Sequence, residues 1–205
     1  MRQERLLEMG KHDEYEYKML LTKEEYDNIR TWAETNYISL MRSFVQVNYY
    51  YDTPDFRFQK VGTTIRVRQA GDTLKGTIKK HMEGGDVFHS KEKTFSTADL
   101  PRSIAYKNEI AVLQGVLVTE RIEIPLRKKL CLMLDRSSYL GRADYEVELE
   151  FTRGGREIAQ KFAEELFHSI RRKPQYSKSE RFFHALRSRD TEFSLANGIS
   201  FGRRS

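Results

Sequence analysis

Charged residues recur at every second position in several strand-like stretches of this chain, and that alternation limits the folds open to it. Near the start runs Glu14-Tyr15-Glu16-Tyr17-Lys18; near the end runs Glu146-Val147-Glu148-Leu149-Glu150. In both runs the charges share one parity. The other parity carries Tyr15, Tyr17 and Met19, or Tyr145, Val147, Leu149 and Phe151. Successive side chains of a strand point to opposite faces, so each run sets a row of carboxylates against an apolar row. Like charges in a row repel unless cations stand between them. The pattern predicts a metal-bearing surface built from strands.

The rest of the chain repeats the theme. A strand is expected from His12 to Leu21, then a helix opened by the capping box Thr22-Lys23-Glu24-Glu25 and striped by Tyr26, Ile29 and Ala33. Phe44 to Asp52 reads as a strand ended by Thr53-Pro54-Asp55. Thr63 to Gln69 and Leu74 to Lys80 read as a hairpin about Ala70-Gly71-Asp72. Gly84-Gly85-Asp86 turns into a strand carrying Glu92, and Thr97 to Gln114 reads as a helical or irregular excursion broken by Pro101. Three more strands are expected at Thr119–Leu126, Lys129–Arg136 and Asp144–Phe151. After Gly154-Gly155, the residues Ile158, Ala159, Phe162, Ala163, Leu166, Phe167 and Ile170 space out one apolar helix face, and a short helix follows at Ser179–Ser188.

About eight strands in meander order with few helices predict an α+β, mainly β, fold. The expected form is an eight-stranded antiparallel β-barrel with a charged lumen and a few covering helices. Residues 1–11 form a polar lead-in, 12–188 the domain, and 189–205 a loose tail. The length of 205 residues suits one domain. No apolar run approaches the roughly 20 residues that span a bilayer, and no apolar stretch follows Met1 as a signal peptide requires. A lone cysteine, Cys131, excludes an internal disulfide and fits a reducing cytoplasm. A net charge of +6 suggests polyanionic company without choosing among nucleic acid, lipid and phosphate.

One row of alternating glutamates is most simply a solvated face; two such rows, with basic rows of matching parity, are not. Carboxylate oxygens without histidine or cysteine suit Mg²⁺ or Mn²⁺. The cations Lys18, Arg66, Arg68, Lys75, Lys79, Arg121 and Lys178 suit phosphate. The aromatics fall mostly on the opposite parity, so no nucleic-acid partner is expected. Gly71 and Gly76 have P-loop spacing but lack the Lys-Ser/Thr that must follow. The string Gly198-Ile199-Ser200-Phe201-Gly202 has no room for the helix a nucleophile elbow requires. His12, His81, His89, His168 and His184 show no ligand spacing.

Glu14-x-Glu16-x-Lys18 resembles the signature of the CYTH superfamily, the triphosphate tunnel metalloenzymes. The likeness continues in order through Tyr50-Tyr51-Asp52-Thr53-Pro54-Asp55, Thr64-Ile65-Arg66-Val67-Arg68, Thr77-Ile78-Lys79, Leu134-Asp135-Arg136, Asp144 to Glu150 and Ser177-Lys178-Ser179. It is most similar to the bacterial, bacillus-type branch. The resemblance implies that Glu14, Glu16, Glu146, Glu148 and Glu150 hold divalent metal. It implies that Lys18, Arg66, Arg68, Lys79, Arg121 and Lys178 bind phosphates, and that Lys18, Glu92 and Asp135 serve the reaction. The expected activity is metal-dependent hydrolysis of a triphosphate, inorganic tripolyphosphate first, with thiamine or nucleoside triphosphates as further substrates. Cyclisation of ATP, as in class IV adenylate cyclases, and non-catalytic polyphosphate binding are the alternatives. The partner expected is a triphosphate-containing small molecule, with no membrane, for a cytoplasmic monomer or homodimer.

Overall fold

The computed structural model of the chain describes residues 8–82, 87–167 and 176–196. Its strands are β1 (Glu8–Leu21), β2 (Arg42–Asp52), β3 (Thr63–Ala70), β4 (Thr73–Met82), β5 (Phe88–Ser96), β6 (Ser103–Tyr106), β7 (Glu109–Arg127), β8 (Leu130–Tyr139) and β9 (Arg142–Phe151). The helices are α1 (Lys23–Tyr37), α2 (Arg57–Lys60), α3 (Arg156–Phe167) and α4 (Lys178–Ala196). The chain divides into two units after Gln175.

In the first unit the strands pair antiparallel in the order β2-β3-β4-β5-β1-β9-β8-β7, and β7 pairs back onto β2. An eight-stranded ring therefore closes, as expected, and leaves no open edge within it. Register decides what the ring encloses. Glu16 lies opposite Glu150 and Lys18 opposite Glu148. Lys79 lies opposite Glu92, and Asp135 opposite both Arg121 and Glu146. Directly paired residues share a face of the sheet, so closure gathers the charged parity into the lumen.

The apolar parity lies outside and forms two cores. Met19, Leu21, Ile122, Ile124, Leu132, Leu134, Val147 and Leu149 pack with Tyr26, Ile29 and Ala33 of α1 and Ala159 and Ala163 of α3. Trp32 and Phe162 join the two helices at a ring separation of 6.2 Å. Elsewhere Ile65, Val67, Ile78 and Phe95 are covered by Phe58 of α2 and Ile104 of β6. Gly76 is required there, because a Cβ at that position would occupy the space of the Phe95 ring.

The expected capping box forms: Thr22 Oγ1 accepts from the Glu25 amide at 3.1 Å, and Glu25 Oε2 accepts from the Thr22 amide at 2.6 Å. Asp52 closes β2 by accepting from the amides of Thr53, Phe58 and Gln59. Tyr50-Tyr51-Asp52-Thr53 thus builds the β2–α2 corner.

The excursion expected over Thr97–Gln114 is instead a hairpin, β6 and the start of β7. Its turn, Lys107-Asn108, has left-handed φ values of 48° and 61°, and two-residue hairpin loops favour that conformation. Without glycine in the turn, and with Pro101 just before it, the alternation around it was masked. In α3, Ile158 faces outward, so the helix buries a narrower stripe than its spacing predicts. Phe167's side chain, Ile170 and the Gly84-Gly85-Asp86 turn lie outside what is described.

In the second unit α4 runs to Ala196, beyond the expected end at Ser188. Ser177 and Glu180 form a capping box at its start: Glu180 N donates to Ser177 Oγ at 3.2 Å, and Ser177 N donates to Glu180 Oε2 at 2.7 Å. Among the described residues no helix is long and apolar enough to cross a membrane.

Candidate functional site

Glu14, Glu16 and Lys18 project into the lumen from β1, and Glu146, Glu148 and Glu150 from the neighbouring β9. These two strands form an acidic wall. Arg66 of β3, Lys79 of β4, Glu92 of β5 and Arg121 of β7 share the lumen face, as does Asp135 of β8. Arg68 lies on it opposite Asn48 of β2. Every site residue predicted in the first unit therefore lies in one ring. Glu92 falls in clean register with Lys79, which its own strand's sequence did not make plain. Lys75 shares the parity but is exposed. Lys178 begins α4 in the second unit.

The lumen charges pair closely. Lys79 Nζ bonds Glu14 and lies 3.5 Å from Glu92, whose carboxylate also stands 4.0 Å from Arg66 Nη2. Lys18 Nζ donates to Glu16 at 3.0 Å and sits over the Phe88 ring, 3.8 Å from its centroid. Arg121 grips Asp135 through two nitrogens, at 2.8 and 2.6 Å, and reaches Glu148 at 2.6 Å. This fork is the bidentate arrangement Arg favours with carboxylates. Burial works against the Lys79 charge, but Glu16, Glu14 and Glu92 outweigh it and hold its pKa raised. Asp135 and Glu148 do the same for Arg121.

Two groups betray charge that is not balanced. Burial, then Glu14, Glu148 and Glu16, push the Glu150 carboxyl up to about 7. Across the lumen, burial and the neighbouring Arg66 and Arg121 pull the Arg68 guanidinium down to about 9, still protonated at neutral pH. One wall crowds anions, the other cations. The acidic wall offers only oxygen donors, the set hard divalent cations take. Among the described residues, however, no three acidic, histidine or cysteine side chains converge as a ready-made metal cage. Glu14, Glu16 and Glu148 are turned toward lysine and arginine instead.

Glu150 binds its proton more tightly folded than unfolded, its ordinary value being 4.5. Its contribution to stability is full below that value and is lost as pH rises through about 7. Metal-free protein is expected to melt lower at pH 8 than at pH 5.5 on this account, and Glu150→Gln to flatten that slope. Thermal melts of both proteins in EDTA check it.

Sequence reasoning missed several lumen residues. Ser90 Oγ donates to Glu14 at 3.1 Å, and Phe88 supports Lys18. Asn48 accepts from Arg68 Nε at 2.9 Å, and the hydroxyls of Thr119 and Ser137 bond at 3.2 Å. Each shares the parity of a recognised charge, so period two was the available signal. Being uncharged, they did not stand out.

A closed antiparallel barrel with helices outside and opposed charged walls inside defines a tunnel protein with a polyionic lumen. The chain belongs to the CYTH domain family, whose model matches residues 12–183. It is 29% identical over 200 residues to a Bacillus subtilis (strain 168) protein named "Putative triphosphatase YjbK", covering 87% of this chain and 98% of that one. It is similar to the crystal structure of a "putative adenylate cyclase" from Bacillus halodurans, at 27% identity and a TM-score of 0.65, over 85% of this chain and 100% of the other. A Hippeastrum protein described as having a dominant triphosphatase activity shares the fold at 18% identity and a TM-score of 0.62, over 85% and 95% of the two chains.

Proposed function

We propose that the protein hydrolyses a triphosphate inside this tunnel, with a divalent metal, and that inorganic tripolyphosphate is its first substrate. The observation that carries the reading is the polarised lumen: crowded carboxylates raise Glu150 on one wall, while Arg66 and Arg121 crowd Arg68 on the other. A metal–triphosphate complex supplies the missing partner to both walls. The name of the Bacillus subtilis relative supports a triphosphatase, and that of the Bacillus halodurans structure the cyclase alternative.

Glu14, Glu16, Glu148 and Glu150, with Glu146, would hold the ion. When bound it neutralises phosphate charge and polarises the P–O bonds. The chain's own residues do the rest. Arg66 and Arg68 bind non-bridging oxygens, and Arg121, fixed by Asp135, presents a guanidinium whose direction cannot drift. Lys18 and Lys79, paired here with Glu16 and Glu14, would bind phosphate oxygens if those carboxylates held the ion. Glu92 orients the attacking water. Water adds to the terminal phosphorus, the anhydride P–O bond breaks, and diphosphate leaves. The catalytic contribution is alignment and charge stabilisation, with no covalent intermediate. A single cysteine fits the cytoplasm, and Mg²⁺ and Mn²⁺ suit the all-oxygen set equally.

The test is phosphate release from tripolyphosphate, thiamine triphosphate and ATP with Mg²⁺, Mn²⁺ or EDTA. Metal-dependent release, fastest with tripolyphosphate, is expected. Cyclic AMP formed from ATP without phosphate release would replace this reading with the cyclase. Tight tripolyphosphate binding without turnover in either metal would leave a binding module.

A further inference from the structure

Beside the cationic wall, β2 carries two buried carboxamides to which the site as described gives no part in ligand binding. Gln46 is 2% exposed and Asn48 is 0% exposed. Register places Asn48 opposite Arg68, and Gln46, two residues away on the same face, opposite Thr119. Arginine only donates, so Asn48 must turn its oxygen to Arg68 Nε, at 2.9 Å, and its amide nitrogen away. That nitrogen, Gln46 Nε2 and Arg66 Nε are buried and have no hydrogen-bond partner among the described residues. Buried donors are ordinarily satisfied, and one left unpaired costs folding free energy. Here three occur along the lumen face of β2 and β3, and all lack the same thing, an acceptor.

The geometry points to a donor-only subsite for one phosphate group, in which the Gln46 and Asn48 carboxamides bind non-bridging oxygens beside Arg66 and Arg68. A phosphate offers several acceptor oxygens and, when fully ionised, no donor. The two neutral amides add hydrogen bonds without adding positive charge to a wall where cations already crowd one another. Asn48 has a double part: its oxygen holds Arg68 in place while its nitrogen meets the ligand. The inference rests on the tunnel reading above and extends it to residues outside the charged set.

Affinity for inorganic tripolyphosphate in the presence of Mg²⁺, measured by calorimetry on the full chain, tests the subsite. The variants are Gln46→Leu, Asn48→Leu, Gln46→Glu and Asn48→Asp, each also melted without ligand. At Gln46, removing an unsatisfied donor in favour of an apolar group of similar size leaves the ligand-free melting temperature unchanged or raised. Asn48→Leu also takes the acceptor from Arg68 Nε and melts lower, so Asn48 is judged by Asn48→Asp, which keeps an oxygen for Arg68. A subsite then shows as affinity weakened about 10-fold or more in Gln46→Leu, the size of a hydrogen bond to a charged group. The acidic variants keep the shape, place an anion against the ligand, and weaken binding further; they carry the test if a leucine variant fails to fold. Wild-type binding that all four variants retain would overturn the subsite and leave the tunnel reading standing. A wild type that does not bind tripolyphosphate would overturn the tunnel reading itself.

Discussion

Alanine at both Glu14 and Glu16 is expected to abolish metal-dependent phosphate release from tripolyphosphate, a loss of about 10³-fold or more. Charge sets the size of this loss. The lumen carboxylates outnumber the lumen cations, so the tunnel without metal is a poor host for a polyanion. Metal supplies several kcal/mol of transition-state charge stabilisation, and each ~1.4 kcal/mol is a factor of ten in rate. Removing two of the carboxylates that hold it forfeits most of that. The fold should survive, because Lys79 keeps Glu92 at 3.5 Å and Lys18 keeps the Phe88 ring. Measured kcat/KM beside a melting curve separates the two effects. A folded double variant that still releases phosphate within tenfold of the wild type would remove β1 from the metal site.

The largest loss of stability is expected from Asp135→Ala. Asp135's side chain is fully buried, and it takes two hydrogen bonds from Arg121, which is itself 9% exposed. Breaking a buried ion pair from one side strands the other charge and costs about 3–5 kcal/mol. For a chain of this size that is a fall of roughly 10 °C in melting temperature. Asp135→Asn, which keeps an oxygen for Arg121, should lose less. Thermal melts of the two variants decide it: equal, small shifts would mean that Glu148 alone holds Arg121 and that Asp135 is not its anchor.

Both predictions join what was legible in the chain to what was not. The rows Glu14-x-Glu16-x-Lys18 and Glu146-x-Glu148-x-Glu150 could be read because alternation is a local property, printed residue by residue. Thr22 and Glu25 were readable for the same reason, since a capping box spans one turn. The hairpin at Lys107-Asn108 was not. Its turn lacks the glycine that usually announces left-handed backbone, and the energy that holds it there comes from β7's pairing. Ser177 and Glu180 carry the spacing of a capping box, two residues before the helix start expected at Ser179.

By itself the amino-acid order determined the strands of the barrel, the face on which the charges of β1, β3, β4 and β9 would lie, and the inside-out distribution of polarity. Period two dictates that much without any knowledge of neighbours. Which charges would meet was decided only by closure of the barrel. Lys79 finds Glu14 and Arg121 finds Glu148 across sequence gaps that no local pattern encodes, because register is set where β7 returns to β2 and β9 to β1. The same closure buried the amide nitrogens of Gln46 and Asn48 without an acceptor among the described residues. An uncharged side chain in a strand reveals its purpose only once its surroundings exist.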